Sequence, residues 1–319
     1  MSHQVLNVPK QQLLELKKYY HSSLKDKFPQ GAVFAAKTSQ CSITAYQSGK
    51  VLFQGKGADS EAGKWQQKQG ISSGNKTKKL GSSPAASVDN HAYYPPDKTE
   101  EKILLGSDET GTGDYFGPMT VACVHLTKEQ MNTIDSWGVR DSKTIKDDTI
   151  RALAPKLIHE CTFSLLILDN KKYNSLQEKG MNQGQMKALL HHQAITNVME
   201  KCSENGLDFD GTLIDQFVTP SGYFKYLSSN NKKWSSEKPL YFATKAEGLH
   251  PSVAAASILA RYSFLQEMDK LEQKLGLPIP KGAGPNVDKA AKKIFALKGK
   301  DSLYHITKWH FSNTTRVTN

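Results

Sequence analysis

Two adjacent carboxylates, Asp108 and Glu109, lie between a short apolar run and a glycine-rich turn in residues 103–118, ILLGSDETGTGDYFGP. The run Ile103, Leu104, Leu105, closed by Gly106, predicts a short buried strand. Neighbouring side chains on a regular strand point to opposite faces, so both acids can serve one site only where the strand breaks. Thr110, Gly111, Thr112 and Gly113 supply such a break, and their small size lets the backbone approach a ligand. Like charges at a strand end are tolerable with a cation between them, and oxygen-only ligands point to Mg²⁺ or Mn²⁺. Taken alone, the pair could equally be a solvated surface turn.

The pattern returns further along the chain. Residues 211–215, GTLID, form a second apolar run ending on Asp215. After a third run at 241–244, Glu247 stands just before a helix predicted over 252–267, SVAAASILARYSFLQE. Acids at the ends of strands remote in sequence are what a metal site assembled on a sheet requires, although Glu247 could instead stabilise the dipole of the following helix. That helix is small on one face (Ala254, Ala255, Ser257), which suits close packing against the sheet. Strands predicted over 119–126 and 161–168 alternate with helices over 147–159 and 182–202, the order of an α/β domain. His191 and His192 fall on the long helix, where adjacent positions diverge, and both read as structural. In 137–143, WGVRDSK, Lys143 could meet a phosphate or simply face solvent.

The 319 residues suffice for two domains, and a net charge of +11 favours a polyanionic partner. No apolar run approaches the ~20 residues that span a bilayer, and no signal-peptide core opens the chain. The scattered Cys41, Cys123, Cys161 and Cys202 lack zinc spacing and read as reduced structural thiols of a cytosolic protein. Residues 1–70 read as a small α+β unit. A helix follows Pro9 with a stripe of Leu13, Leu16, Tyr20 and Leu24, strands cover 32–37 and 40–46, Ser48-Gly49 turns a hairpin into 51–53, and a polar helix covers 60–69. Residues 1–100 hold 14 lysines and no arginine against 7 acids, so most of the positive excess is there. Lysine alone suits sequence-independent contact with a phosphate backbone, or a solubilising surface. Residues 71–99, rich in Gly, Ser, Asn, Lys and Pro, read as a flexible linker to a second domain over 100–319.

Four segments, SDETGTGDYFGP (107–118), GVRDSK (138–143), TLIDQF (212–217) and TKAEGLHPSVAAASILAR (244–261), closely resemble the type 2 ribonucleases H, and within them the ribonuclease HIII branch. AYQSGKVLFQG (45–55) is similar to the TATA-binding-protein-like domain of that branch. The sister HII branch carries a cation in its Gly-Arg-Gly or Gly-Lys-Gly segment and usually Asp as fourth acid, where this chain has Gly111-Thr112-Gly113 and Glu247. The resemblance implies a ribonuclease H-like domain of mixed sheet and flanking helices behind a small α+β domain. It implies hydrolysis of the RNA strand of RNA/DNA hybrids to 5′-phosphate and 3′-hydroxyl ends. Asp108, Glu109, Asp215 and Glu247 would be catalytic and hold two Mg²⁺ or Mn²⁺ ions about 4 Å apart. Thr110, Gly111, Thr112, Gly113, Ser142 and Lys143 would contact substrate, with backbone of the glycine segment reaching the 2′-hydroxyl. A cytoplasmic monomer without membrane contact is expected. Incision at single ribonucleotides in duplex DNA, and hybrid binding without catalysis, are the alternatives.

Overall fold

The computed structural model of the chain describes residues 3–68, apart from 9, 27, 30 and 48, together with 91–139 and 145–318. The chain divides into two compact units, residues 1–83 and 84–319.

The first unit is an antiparallel sheet with helices on one face. In chain order it runs β1 (His3–Asn7), α1 (Lys10–Tyr19), β2 (Ala32–Lys37), β3 (Ser42–Tyr46), β4 (Lys50–Gln54) and α2 (Ala58–Lys68), with strand order β1-β4-β3-β2. Ile43 and Ala45 of β3 and Val51 and Phe53 of β4 point inward at period two, the pattern of a sheet covered on one side. Leu13, Leu16 and Tyr20 meet them from the first helix, and Trp65 from the second. Trp65 Nε1 donates to the Tyr20 hydroxyl (3.2 Å), which donates to Glu61 (2.7 Å), linking the two helical segments through buried polar groups. The apolar stripe expected to reach Leu24 stops earlier. The helix ends at Tyr19, a 3₁₀ turn covers His21–Ser23, and Leu24 is exposed and bridges Ala36. Ser22 and Ser23 compete for backbone hydrogen bonds and hold a helix poorly. Pro9 and Ser48, read above as a helix start and a hairpin turn, lie outside the described residues.

The second unit is a mixed five-stranded sheet between helices. It runs β5 (Leu104–Thr110), β6 (Met119–His125), α3 (Lys128–Ser136), α4 (Asp147–Glu160), β7 (Thr162–Leu168), α5 (Asn170–Glu178), α6 (Gln183–Glu204), β8 (Gly211–Asp215), α7 (Pro220–Ser228), β9 (Leu240–Ala243), α8 (Pro251–Leu275), α9 (Pro285–Tyr304) and α10 (Ser312–Thr318). Strand order is β7-β6-β5-β8-β9, antiparallel from β7 to β5 and parallel from β5 to β9. The sheet sorts its residues by parity. Ala122 and Val124 join the core under α4 and α8, whereas Val121 and Cys123 join the core under α6 and α7. Among the described residues no helix is long and apolar enough to cross a membrane.

Residues 91–99, expected to belong to the linker, instead pack on this unit. Phe242 donates its backbone N–H to the Tyr93 carbonyl (2.9 Å), the Tyr93 ring lies 5.3 Å from Phe224, and His91 Nε2 is 2.7 Å from Gln216 Oε1. Aromatic surface and the fixed φ of Pro95 and Pro96 give this stretch what a flexible tether lacks. The four cysteines are free thiols, and burial pushes Cys202 up to about 11 and Cys161 up to about 12.

Candidate active site

The carboxylate strand is longer than its apolar run. β5 keeps its ladder through Asp108↔Ala122, Glu109↔Val121 and Thr110↔Thr120, so no break separates the two acids and they do point to opposite faces. Leu104, Gly106 and Asp108 face α8, and Leu105, Ser107 and Glu109 face α6. The strand continues past the apolar residues because β6 supplies ladder partners as far as Thr110, while β8 pairs with it up to Ser107.

Asp108 is 5% exposed. Its Oδ1 accepts the Glu109 N–H (2.7 Å), and the Ser257 hydroxyl on α8 donates to it. Burial holds this carboxyl well above the ordinary carboxylate range, and the charges of Asp215 and Glu109 push it the same way. Asp215 ends β8 on the same sheet face as Leu213 and accepts the Ala246 N–H (2.9 Å). That contact ties β8 to the 3₁₀ turn Ala246–Gly248, which carries the buried Glu247 and is entered through Lys245 in the left-handed region (φ 56°). The turn leads into α8, whose N-cap His250 receives the Ser252 N–H at Nδ1 (3.2 Å) and reaches the Lys102 carbonyl with Nε2 (3.0 Å). One helix start thus fixes Glu247 and the entry to β5 together.

Glu109 is held from the other side. Lys187 Nζ lies 2.9 Å from its Oε1 and His191 Nε2 2.9 Å from its Oε2, and these partners bring its carboxyl below the ordinary value despite burial. His191, read above as structural, contacts one of the predicted site carboxylates, and Lys187 joins it although nothing in its local sequence marks it. The readable signal was spacing: Gln183, Lys187 and His191 recur at i, i+4 and i+8, one stripe of α6. Gln183 donates to the Thr112 carbonyl (2.9 Å), so the stripe grips the carboxylate strand and the turn after it. His192 lies beside Trp234, away from Glu109, as a structural residue would.

Gly111 adopts φ 90°, and a Cβ there would stand 2.3 Å from the Pro118 carbonyl and 3.0 Å from Phe264, so the turn leaves the strand by a route only glycine tolerates. The C-terminal stretch, to which the sequence alone assigns no role, anchors the loop at 114–118. Lys308 is fully buried, and its ammonium donates to the carbonyls of Asp114 (2.8 Å), Gly117 (2.6 Å) and Pro118 (3.3 Å). Burial nevertheless pushes Lys308 down to about 7, against the pull of Asp114. Lys308→Met leaves three carbonyls without this donor and is expected to cost about 2–4 kcal/mol of stability in urea unfolding. Above pH 7 the unfolded chain holds a proton here that the folded one releases. The wild-type advantage should therefore widen between pH 7 and 9, by at most about 1.4 kcal/mol per pH unit.

The structure thus brings Asp108, Asp215 and Glu247 to the α8 face and places Glu109 on the α6 face of the same strand, with Thr110–Gly113 directly downstream. Ser142 and Lys143 lie outside the described residues. Among the described residues no three side chains of carboxylate, imidazole or thiol type already converge as a ready-made metal cage. The donor chemistry still fits a hard cation: the four groups offer oxygen only, and three like charges crowd a buried space where a cation would relieve them.

Residues 105–314 match the family model described as Ribonuclease HII, and residues 3–79 match a domain of unknown function, DUF3378. Ribonuclease HIII of Bacillus subtilis (strain 168) is 49% identical over 317 residues, covering 99% of this chain and 97% of that protein. Ribonuclease HIII of Bacillus licheniformis is 48% identical, covering 99% and 98%. Among solved structures, Bst-RNase HIII in complex with Mn²⁺ superposes with a TM-score of 0.65 at 39% identity, covering 99% of this chain and 98% of that one. The RNase H3 of Aquifex aeolicus, at 23% identity and a TM-score of 0.53, covering 97% and 100%, shares the fold.

Proposed function

The chain belongs to the ribonuclease HII family and is an endonuclease of the ribonuclease H type acting on RNA/DNA hybrids, and we propose that Asp108, Glu109, Asp215 and Glu247 carry its reaction around two bound Mg²⁺ or Mn²⁺ ions. The observation that supports this most is the convergence of Asp215 and Glu109, both partly buried, on the buried Asp108, whose carboxyl is lifted first by burial and then by repulsion from these two acids. Divalent ions held there would activate water and neutralise the charge that builds on the phosphate and the leaving oxygen. Asp108 and Asp215 supply ligand oxygens from neighbouring strands whose pairing fixes their separation, and Glu247 adds a third from the turn tied to Asp215. Glu109 completes the set from across the strand. The Thr110–Gly113 backbone, steered by Gly111 and held by Gln183, would read the 2′-hydroxyls of the RNA strand in the shallow groove of the hybrid. All four acids belong to one unit of one chain, which supports action as a monomer.

The test is strand-cleavage mapping on two end-labelled duplexes, a continuous RNA/DNA hybrid and a DNA duplex with one ribonucleotide, in Mg²⁺ and in Mn²⁺. Multiple cuts in the hybrid, leaving 5′-phosphate and 3′-hydroxyl ends, with little incision of the second duplex, is the expected result. Preferred incision beside the lone ribonucleotide would move the substrate assignment to that of the sister branch.

A further inference from the structure

Lys187 is a lysine without a job in the reaction above, yet the structure surrounds it with care. Its ammonium sits 2.9 Å from Glu109 and 4.4 Å from the centroid of Phe217, two residues beyond Asp215. Phe217 also stacks on His191 (5.0 Å, 19° between planes). His191 is fixed in turn by Ser107, whose hydroxyl lies 2.7 Å from Nδ1 and 2.8 Å from the Ala122 carbonyl. Both oxygens of Glu109 are consequently occupied, one by a mobile-tailed cation and one by a rigidly held ring. The N-terminal end of α6 that presents Lys187 is itself locked by a capping box between Asn182 and Gln185.

From this arrangement we infer that Lys187 is the resident counter-ion of the site, occupying Glu109 Oε1 when no divalent cation does and competing with that cation for the same carboxylate. The inference rests on the reading of Glu109 as a metal ligand. Its physical basis is charge balance. Without a metal, Asp108, Asp215 and Glu109 repel one another in a poorly solvated space, and an ammonium on Glu109 removes part of that repulsion. With a metal present the same ammonium is a like charge beside a dication, and its four-carbon stem lets it withdraw where His191 cannot. Lys187 would thus hold metal affinity below what four carboxylates alone would provide, while keeping the metal-free fold intact.

The experiment is calorimetric titration of Mn²⁺ into metal-free full-length protein, with thermal unfolding of the same metal-free samples, for wild type, Lys187→Met, Lys187→Gln, Lys187→Arg and Glu109→Gln. The neutral variants should bind Mn²⁺ about 10-fold more tightly and unfold at lower temperature without metal, whereas Lys187→Arg, which keeps the charge, should stay within about 3-fold of wild type. Having two neutral variants covers the case in which one fails to fold. Unchanged or weaker Mn²⁺ binding by the neutral variants, alongside the weakened binding of Glu109→Gln, would overturn the counter-ion role and leave the metal site standing. Glu109→Gln binding Mn²⁺ like wild type would overturn both the role and the assignment of Glu109 as a ligand.

Discussion

Asp108→Asn is expected to lower kcat on an RNA/DNA hybrid by ~10³-fold or more and, in the same protein without metal, to raise the thermal unfolding midpoint. The two signs have one cause. Asp108 is 5% exposed, lies beside two further carboxylates, and accepts from the Ser257 hydroxyl, with the Glu109 N–H as backbone support. Asparagine keeps an oxygen for the Glu109 N–H and nearly the same shape, so packing against α8 is retained. It removes the charge that burial and the neighbouring acids oppose, and on the order of 1 kcal/mol of stability should be recovered. It also removes an anionic oxygen at the centre of the proposed metal site. Activity within tenfold of wild type would show that the reaction does not depend on this oxygen. A lowered unfolding midpoint would show that the charge is compensated in the metal-free fold by something other than Ser257.

The site was legible in the sequence where it depended on residue type and opaque where it depended on faces. Asp108 and Asp215 are legible because each ends an apolar run, and the recurrence of that pattern at remote positions, with Glu247 after a third run, outweighs the bland reading of any one of them. Glu109 belongs to the expected neighbourhood by a different geometry: a break in the strand would turn both acids to one side, but the ladder runs on to Thr110 and sends Glu109 toward α6. An apolar count cannot detect this, because ladder hydrogen bonds from β6 extend the strand through the polar residues 108–110. The same limit hid Lys187 and His191, whose stripe on α6 acquires meaning only once a carboxylate is known to face it. The alternating strands and helices of the second unit were readable from period alone. The packing of residues 91–99 and the anchoring of the 114–118 loop by Lys308 were not, since both join segments more than a hundred residues apart.

Gly106→Ala should be strongly damaging, costing about 3 kcal/mol or more in urea unfolding and leaving any folded fraction with impaired turnover. A Cβ at this position would stand 2.3 Å from the Ser252 carbonyl carbon and the Val253 nitrogen, and 2.4 Å from Ser252 Oγ. Those atoms are the first turn of α8, and they cannot yield as the end of a flexible side chain would. The strand cannot yield either, because β5 is hydrogen-bonded to β6 on one side and β8 on the other. Relief requires α8 to move off the sheet, and that helix carries Ser257 against Asp108 and comes directly after the turn that presents Glu247. Close approach at Gly106 is therefore what sets the distance between the strand acids and the turn acid. Gly113→Ala is the matching control: its Cβ would meet nothing within 4 Å, and it should unfold within about 0.5 kcal/mol of wild type. An unchanged urea midpoint for Gly106→Ala would mean that α8 can stand further from β5 at no cost, and that the three acids on that face are not held in register by this contact.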